Sequence, residues 1–232
     1  MQTHAIIVSA GRGVRMNVAT PKQYLPLQGK PVLCHTLLAF DHCPEVDKIV
    51  LMVPPTDIQY CRETLLAGLH IETPVEVLAG GIRRQDSVFN GIQSIDEHDG
   101  IVVIHDGVRP LIRPEMISRC IGNARASGAC ILGIPLQDTI KSVGDDRLIQ
   151  KTIEREGVWI AQTPQAFRYR LIREAHESAA RSDFEATDDA ALVERIGFPV
   201  SILQGTGKNL KITTTEDLII ADAILSQTQQ EK

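Results

Sequence analysis

The 232-residue chain reads as an α/β fold with a mostly parallel β-sheet covered by helices on both faces. Three observations carry this reading. Short β-rich runs recur along the chain, the stretches between them place apolar residues at helical spacing, and a glycine-containing loop directly follows the first run.

Ala5-Ile6-Ile7-Val8 is an unbroken apolar run about the length of a buried strand. Ile49–Val53, Val75–Leu78, Ile101–Ile104 and Cys130–Ile134 repeat the pattern. Between them Leu33, Leu37 and Phe40, then Val88, Ile92 and Ile95, then Ile117, Ile121 and Ala124 each form a stripe on one helical face. Pro114 opens the third of these helices and Gly128 closes it, where each residue is favoured. After Ile134 the rhythm changes. Asp138–Val143, a Gly144-Asp145-Asp146 turn and Leu148–Arg155 read as a β-hairpin, too polar to enter the main core and expected to project as an arm that meets a partner chain. The chain then returns through Thr163-Pro164-Gln165 to helices near Arg168–Arg181 and Thr187–Arg195. Val200–Leu203 is a further strand, Leu210-Lys211-Ile212 a short one, and Thr214–Ser226 the closing helix, with Thr214 and Asp217 spaced as a capping box. Gln227–Lys232 reads as a frayed end. No repeat, low-complexity tract or linker interrupts the sequence, so residues 1–232 are expected to form one domain with a β-arm at about 136–158.

Composition narrows the function. With 43% hydrophobic and 23% charged residues the chain is ordinary globular material. A net charge of −5 argues against a general nucleic-acid surface. No apolar run approaches the roughly 18 residues of a spanning helix, and no signal-peptide pattern opens the chain, so a soluble cytoplasmic protein without a membrane or nucleic-acid partner is expected. The five cysteines form no Cys-x-x-Cys and no paired framework, which fits small core residues in a reducing compartment. The histidines lack zinc-site spacing, and no Gly-x-Ser-x-Gly elbow is present.

The chemistry collects in a few places. In the loop from Ser9 to Lys22, Gly11 and Gly13 let backbone N–H groups crowd around an anion, while Arg15 and Lys22 add a planar fork and a point charge. This is equipment for a polyphosphate, or else an ordinary strand-to-helix turn with a solvated Arg and Lys. It is neither a dinucleotide fingerprint, since Met16 stands where a third glycine is needed, nor a Walker loop, since Gly-Lys-Ser/Thr is absent. Asp106, following an apolar strand, is placed for Mg²⁺ or a substrate hydroxyl, or else is a helix or turn cap for the segment after Pro110. Gly80-Gly81, Arg84 and Ser87 suit close approach to a flat ligand, and equally an ordinary loop and helix start. Arg155 and Lys211 could clamp a phosphomonoester or be surface cations. Ligands of such sheets sit beyond the carboxyl ends of the strands, so Ser9–Lys22, Gly80–Ser87 and His105–Arg109 are expected to meet at one cleft.

Ser9-Ala-Gly-Arg-Gly-Val-Arg-Met16 with Pro21-Lys22-Gln23-Tyr24 resembles the signature loop of nucleotidyltransferases. Gly80-Gly81, Arg84, Ser87-Val88 and His105-Asp-Gly-Val-Arg-Pro110 narrow the likeness to cytidylyltransferases. Asp138-Thr-Ile-Lys141, Glu154-Arg155, Trp159, Gln162–Phe167, Thr187-Asp-Asp189 and Asn209–Thr213 are similar to the 2-C-methyl-D-erythritol 4-phosphate cytidylyltransferase family in particular, in order and over almost the whole chain. The resemblance implies a Rossmann-like domain whose β-arm interlocks a homodimer. It implies transfer of a cytidylyl group from CTP to 2-C-methyl-D-erythritol 4-phosphate with Mg²⁺, a step of non-mevalonate isoprenoid synthesis. By position, Arg15 and Lys22 would stabilise the transition state, and Ala10, Gly11 and Gly13 would cradle the triphosphate. Gly80, Gly81, Arg84 and Ser87 would form the nucleotide side, Gly81 and Ser87 facing the cytosine. Arg155 and Lys211, with Thr139 and Arg109 nearby, would position the substrate phosphate, and Asp106 would sit between metal and substrate hydroxyls. Ser9 stands where many relatives have Ala, and Ile82-Arg83 replaces an acidic pair often found there. The neighbouring reading is a pentitol (ribitol) 5-phosphate cytidylyltransferase, which would share the CTP loop and differ between Thr139 and Phe167.

Overall fold

The computed structural model describes residues 1–11 and 20–230. In chain order the elements are β1 (Thr3–Val8), a 3₁₀ turn (Lys22–Tyr24), β2 (Pro26–Leu27), β3 (Lys30–Pro31), α1 (Val32–Asp41) and β4 (Lys48–Val53). A tight helical stretch follows, made of a 3₁₀ turn (Pro55–Asp57), α2 (Ile58–Tyr60) and a π-turn (Cys61–Leu65). Next come β5 (Val75–Ala79), α3 (Arg84–Gln93), β6 (Ile101–Asp106), α4 (Pro114–Ser127) and β7 (Ala129–Pro135). The chain closes with β8 (Ile140–Val143), β9 (Ile149–Ile153), β10 (Trp159–Arg168), α5 (Tyr169–Arg181), α6 (Asp189–Arg195), β11 (Ser201–Gln204) and α7 (Thr215–Gln230).

Seven strands form the central sheet in the order β11-β7-β10-β6-β1-β4-β5. All run parallel except β10, which lies antiparallel between β6 and β7. The expected mostly parallel sheet is present, and its unbroken apolar runs follow from burial on both faces. Ala5 and Ile7 of β1 point to one side, where Leu33, Leu37 and Phe40 of α1 and Ile117, Ile121 and Ala124 of α4 cover them. Ile6 points to the other, under Val88 and Ile92 of α3 and Ile172, Ala175 and Ala179 of α5. The two-residue period of the strand thus feeds two separate cores. Gly128 ends α4 at φ +97°. Thr214 and Asp217 form the reciprocal cap of α7, Asp217 N–H donating to Thr214 Oγ1 and Thr214 N–H to Asp217 Oδ2.

Three readings of the sequence need correction. The stretch around Pro164, expected to be a connection, is the middle of the long strand β10. A register shift between Gln162 and Gln165 opposite β7 lets the ladder pass a residue that has no N–H to give. Leu210–Ile212 is not a strand. It crosses the sheet's end and makes one backbone bond, from Ile212 N–H to the Val108 carbonyl, while Ile212 packs among Leu27, Val32, Val108, Leu111 and Ala221. Finally, α7 continues to Gln230 rather than fraying at Gln227.

β8 and β9 make a separate two-stranded sheet, the expected hairpin. Val143, Leu148, Ile149 and Ile153 on it are exposed. All five cysteines are buried and free. Among the described residues, no helix is long and apolar enough to cross a membrane.

Phe167 of β10 is fully buried, opposite Val102 on one side and Ala129 on the other. Phe167→Ala is expected to cost about 3–5 kcal/mol of stability in urea denaturation, the usual penalty for emptying an aromatic site in a close-packed core. A loss under about 1 kcal/mol would contradict this placement.

Candidate active site

β6 is buried along its whole length and ends on Asp106, so the strand carries a carboxylate to the carboxyl edge of the sheet with only 6% of the residue exposed. Three cations converge on it. Arg84, the first residue of α3, donates from Nε to Asp106 Oδ1 at 3.0 Å. Lys211 Nζ lies 2.9 Å from Oδ2, and Arg109 Nε lies 3.6 Å from the same oxygen. Burial alone would raise the Asp106 carboxyl, but the charges of Arg84, Lys211 and Arg109 outweigh it and hold it far below the usual carboxylate range.

A second buried acid completes the arrangement. Asp189, at the start of α6, takes Arg84 Nη1 at 2.7 Å on Oδ2 and His176 Nε2 at 3.2 Å on Oδ1. Burial would lower Arg84, yet its two carboxylate partners raise it further above its ordinary value. Arg109 has one carboxylate, at the longer distance, and burial pulls it down. Its Nη1 donates to the Asn209 carbonyl at 2.8 Å, while Asn209 Nδ2 donates to the Thr163 carbonyl at 2.9 Å. Thr163 Oγ1 in turn accepts the Asp106 N–H. His105 is fully buried against Phe40, and burial brings it down to about 3, so it is a neutral structural residue.

The glycine loops shape the other side. Gly81 N–H donates to Ser87 Oγ at 3.0 Å, and Ser87 Oγ donates to the Arg83 carbonyl, so this hydroxyl holds the loop in place. Gly80 packs so closely that an added Cβ would stand 2.3 Å from Ala10 Cβ and 2.9 Å from Ser87 Oγ. Gln23, buried beside Lys22, donates from Nε2 to the Ser9 carbonyl and ties the Lys22 turn to the end of β1.

These pieces enclose a cavity of about 340 Å³ lined by Ala10, Gly11, Lys22, Gly81, Arg84, Ser87, Asp106 and Lys211, among others. The described parts of the three segments expected to meet do meet there. A second cavity of about 260 Å³ shares Arg84, Asp106 and Lys211 and adds Arg109, Thr163, Gln165, Thr187 and Asp188. Thr139 and Arg155 line neither; they lie exposed at the base of the hairpin, Arg155 donating to the Gln137 carbonyl. Gly13 and Arg15 lie outside the described residues. Sequence reasoning did not single out Gln23, Thr163, Asp189 or Asn209 as site residues. The signal available for two of them was an unusual polarity next to apolar runs, at Gln162-Thr163 and Asn209.

Comparison with known proteins agrees with this geometry. Residues 3–227 match the model of the family described as 2-C-methyl-D-erythritol 4-phosphate cytidylyltransferase. The chain belongs to that family. The enzyme of that name from Syntrophus aciditrophicus is 46% identical over 223 residues, covering 96% of this chain and 95% of its own length. The one from Geotalea uraniireducens is 44% identical with 100% of both covered. Among solved structures, the 4-diphosphocytidyl-2C-methyl-D-erythritol synthase of Anaerococcus prevotii superposes with a TM-score of 0.85 at 33% identity, over 97% of this chain and 96% of that one. The Francisella tularensis 2-C-methyl-D-erythritol 4-phosphate cytidylyltransferase gives 0.82 at 30% identity, over 96% and 99%.

The close packing at Gly80 leads to a prediction. Gly80→Ala must push Ala10 and the loop after β1 outward. Nucleoside triphosphate affinity, measured by calorimetry, is expected to fall at least about tenfold, equivalent to roughly 1.4 kcal/mol, with the helical circular dichroism signal retained.

Proposed function

We propose that the chain transfers a cytidylyl group from CTP to 2-C-methyl-D-erythritol 4-phosphate, giving 4-diphosphocytidyl-2-C-methyl-D-erythritol and pyrophosphate in non-mevalonate isoprenoid synthesis. The observation that carries the reading, beside family membership, is the Asp106 carboxylate ringed by Arg84, Arg109 and Lys211 where the two cavities join. The larger cavity, with Ala10, Gly11 and Lys22, takes the nucleotide, Gly80, Gly81 and Ser87 fixing the loop beside the base. The smaller, with Arg109, Thr163 and Thr187, takes the polyol phosphate.

The chemistry asks little of a general base. A phosphomonoester already carries about 1.5–2 negative charges at neutral pH. Its oxygen attacks the α-phosphorus of CTP in line, and pyrophosphate leaves. Lys22, together with Arg15, meets the charge that grows on the α- and β-phosphates, and Arg84 and Lys211 hold Asp106 toward the polyol hydroxyls. Losing one such donor typically costs about 10²–10³ in rate, or roughly 3–4 kcal/mol.

The donor set suits a hard cation held mainly by substrate phosphates: Asp106 and Asp188 line the cavities, and no cluster of three or more metal-ligating side chains is present among the described residues. Asp106 would hold Mg²⁺ in part, and the ion would neutralise phosphate charge. The working compartment is read as the cytoplasm.

Pyrophosphate release with CTP, Mg²⁺ and each polyol phosphate tests the function. Turnover is expected with methylerythritol phosphate at least about tenfold faster than with ribitol 5-phosphate, and faster with CTP than with UTP, whose ring edge exchanges a donor for an acceptor. Equal rates with CTP and UTP would refute the base site.

The hairpin is read as an arm across a twofold axis. Supporting this, Thr139 and Arg155 are exposed and line neither cavity of their own chain, and the hairpin carries exposed Leu148 and Ile149. In a homodimer each chain would then supply the nucleotide loop and its partner Arg155. Lys22→Ala and Arg155→Ala are each expected to be inactive. Their mixture should recover roughly a quarter of wild-type activity, since half the dimers are mixed and each has one intact site. No recovery after verified subunit exchange would place Arg155 in its own chain's site.

A further inference from the structure

We propose that His176 is a positioning residue: by holding Asp189 it fixes the plane of the Arg84 guanidinium and, through it, the orientation of Asp106 between the two cavities. The inference rests on the function proposed above for that site.

His176 lies on α5, lines neither cavity, and is 1% exposed. Its position on the apolar stripe of α5 gives it the look of a core residue, but its Nε2 faces Asp189 Oδ1 at 3.2 Å. Asp189 is ionised, its carboxyl held low by Arg84 and His176 against the opposing effect of burial. A carboxylate only accepts, so Nε2 carries the proton and donates it. Phe89 of α3 stacks on one face of the ring, with centroids 5.7 Å apart and planes 10° from parallel.

Every other handle on Asp189 is also fixed. Gln165 Oε1 accepts its N–H at 3.1 Å, and Gln165 Nε2 donates to Asp188 Oδ2 at 2.8 Å. The carboxylate therefore has one oxygen for His176 and one for Arg84. Arg84 then has one nitrogen on each acid, Nη1 on Asp189 and Nε on Asp106. Its Nη2 is buried and has no partner among the described residues, and Arg84 lines both cavities. A planar fork pinned at two corners aims the third without further choice. If His176 is lost, Asp189 Oδ1 is unmet and the carboxylate can rotate about its Cβ–Cγ bond. Rotation draws Nη1 with it and turns Nε off Asp106.

A merely structural histidine would make the same packing contacts, so the test separates donation from bulk. His176→Phe keeps the stack on Phe89 and removes the donor. It is expected to lower kcat/KM for the polyol phosphate about tenfold. His176→Gln, whose Nε2 can reach Asp189, should stay within about threefold of wild type. Against Arg84→Lys, which cannot bridge two acids, His176→Phe should have no further effect beyond about twofold, because both act through one group. Multiplying losses, or a Gln variant no better than Phe, would overturn the proposal. Should the Phe variant not fold, His176→Asn, with an amide too short for Asp189, takes its place with the same expected loss. A wild-type chain inactive with CTP and methylerythritol phosphate would count against the proposed function alone. The positioning role would then be read by NMR from hydrogen exchange at Arg84 Nε, expected to be several-fold faster in the Phe variant and restored in the Gln variant. Unchanged exchange would overturn it.

Discussion

A carboxylate taken out of water must be met by positive charge, and at Asp106 that requirement draws together segments far apart in the chain. Arg84 comes from the start of α3, Arg109 from the turn after β6, and Lys211 from the crossing before α7. Each needs its own support. The Gly81–Ser87 bond sets the start of α3, the Asn209 carbonyl receives Arg109, and Asn209 is held by Thr163 on β10. One buried charge thus ties together β10, the antiparallel strand of the central sheet, the α3 loop and the 205–213 crossing. Removing one partner of such a buried set typically costs about 3–5 kcal/mol, since the remainder is left uncompensated.

The same constraint explains what the sequence made legible. The parallel strands and the helices that cover them announce themselves by apolar runs and helical spacing, because most of what each buries is apolar. β10 does not. Gln162, Thr163 and Gln165 are nearly fully buried, yet they read as loop because their burial is stabilised by partners absent from any local window: the Thr206 carbonyl, Asn209 and Asp188. Pro164 reinforced that reading, and the register shift beside it cannot be seen from residue types. Leu210–Ile212 is the opposite case, β-prone residues with no neighbouring strand to pair with.

At the site, Asp106, Arg84 and Lys211 each had a bland reading in the sequence, as a cap, a helix start and a surface cation, and it is their convergence in space that no local window shows. Asp189 was hidden by Asp188. Two acids at the start of a helix look alike in sequence, but Asp188 accepts the Ala191 N–H as an ordinary cap while Asp189 turns inward to Arg84. Thr139 could be picked out only through resemblance, Arg155 also as a cation able to join Lys211 on a phosphate, and within one chain both stay apart from the cavities.

The acids also account for how a chain with a net charge of −5 can present a cationic site. Guanidinium groups resist burial unless acids accompany them, and the contrast within this site shows it. Arg84, between two carboxylates, is held more firmly charged than in water, whereas Arg109, with one distant carboxylate, is pulled down by burial. Asp106 and Asp189 thus do not cancel the cations so much as permit them to be present and fixed. With Lys22, which lines the larger cavity, Arg84, Arg109 and Lys211 outnumber Asp106, Asp188 and Asp189. The surplus is concentrated in one cleft, where walls of low dielectric strengthen its field. Donors fixed in this way need not reorganise as charge shifts among phosphate oxygens, which is the condition under which fixed charge accelerates such a transfer.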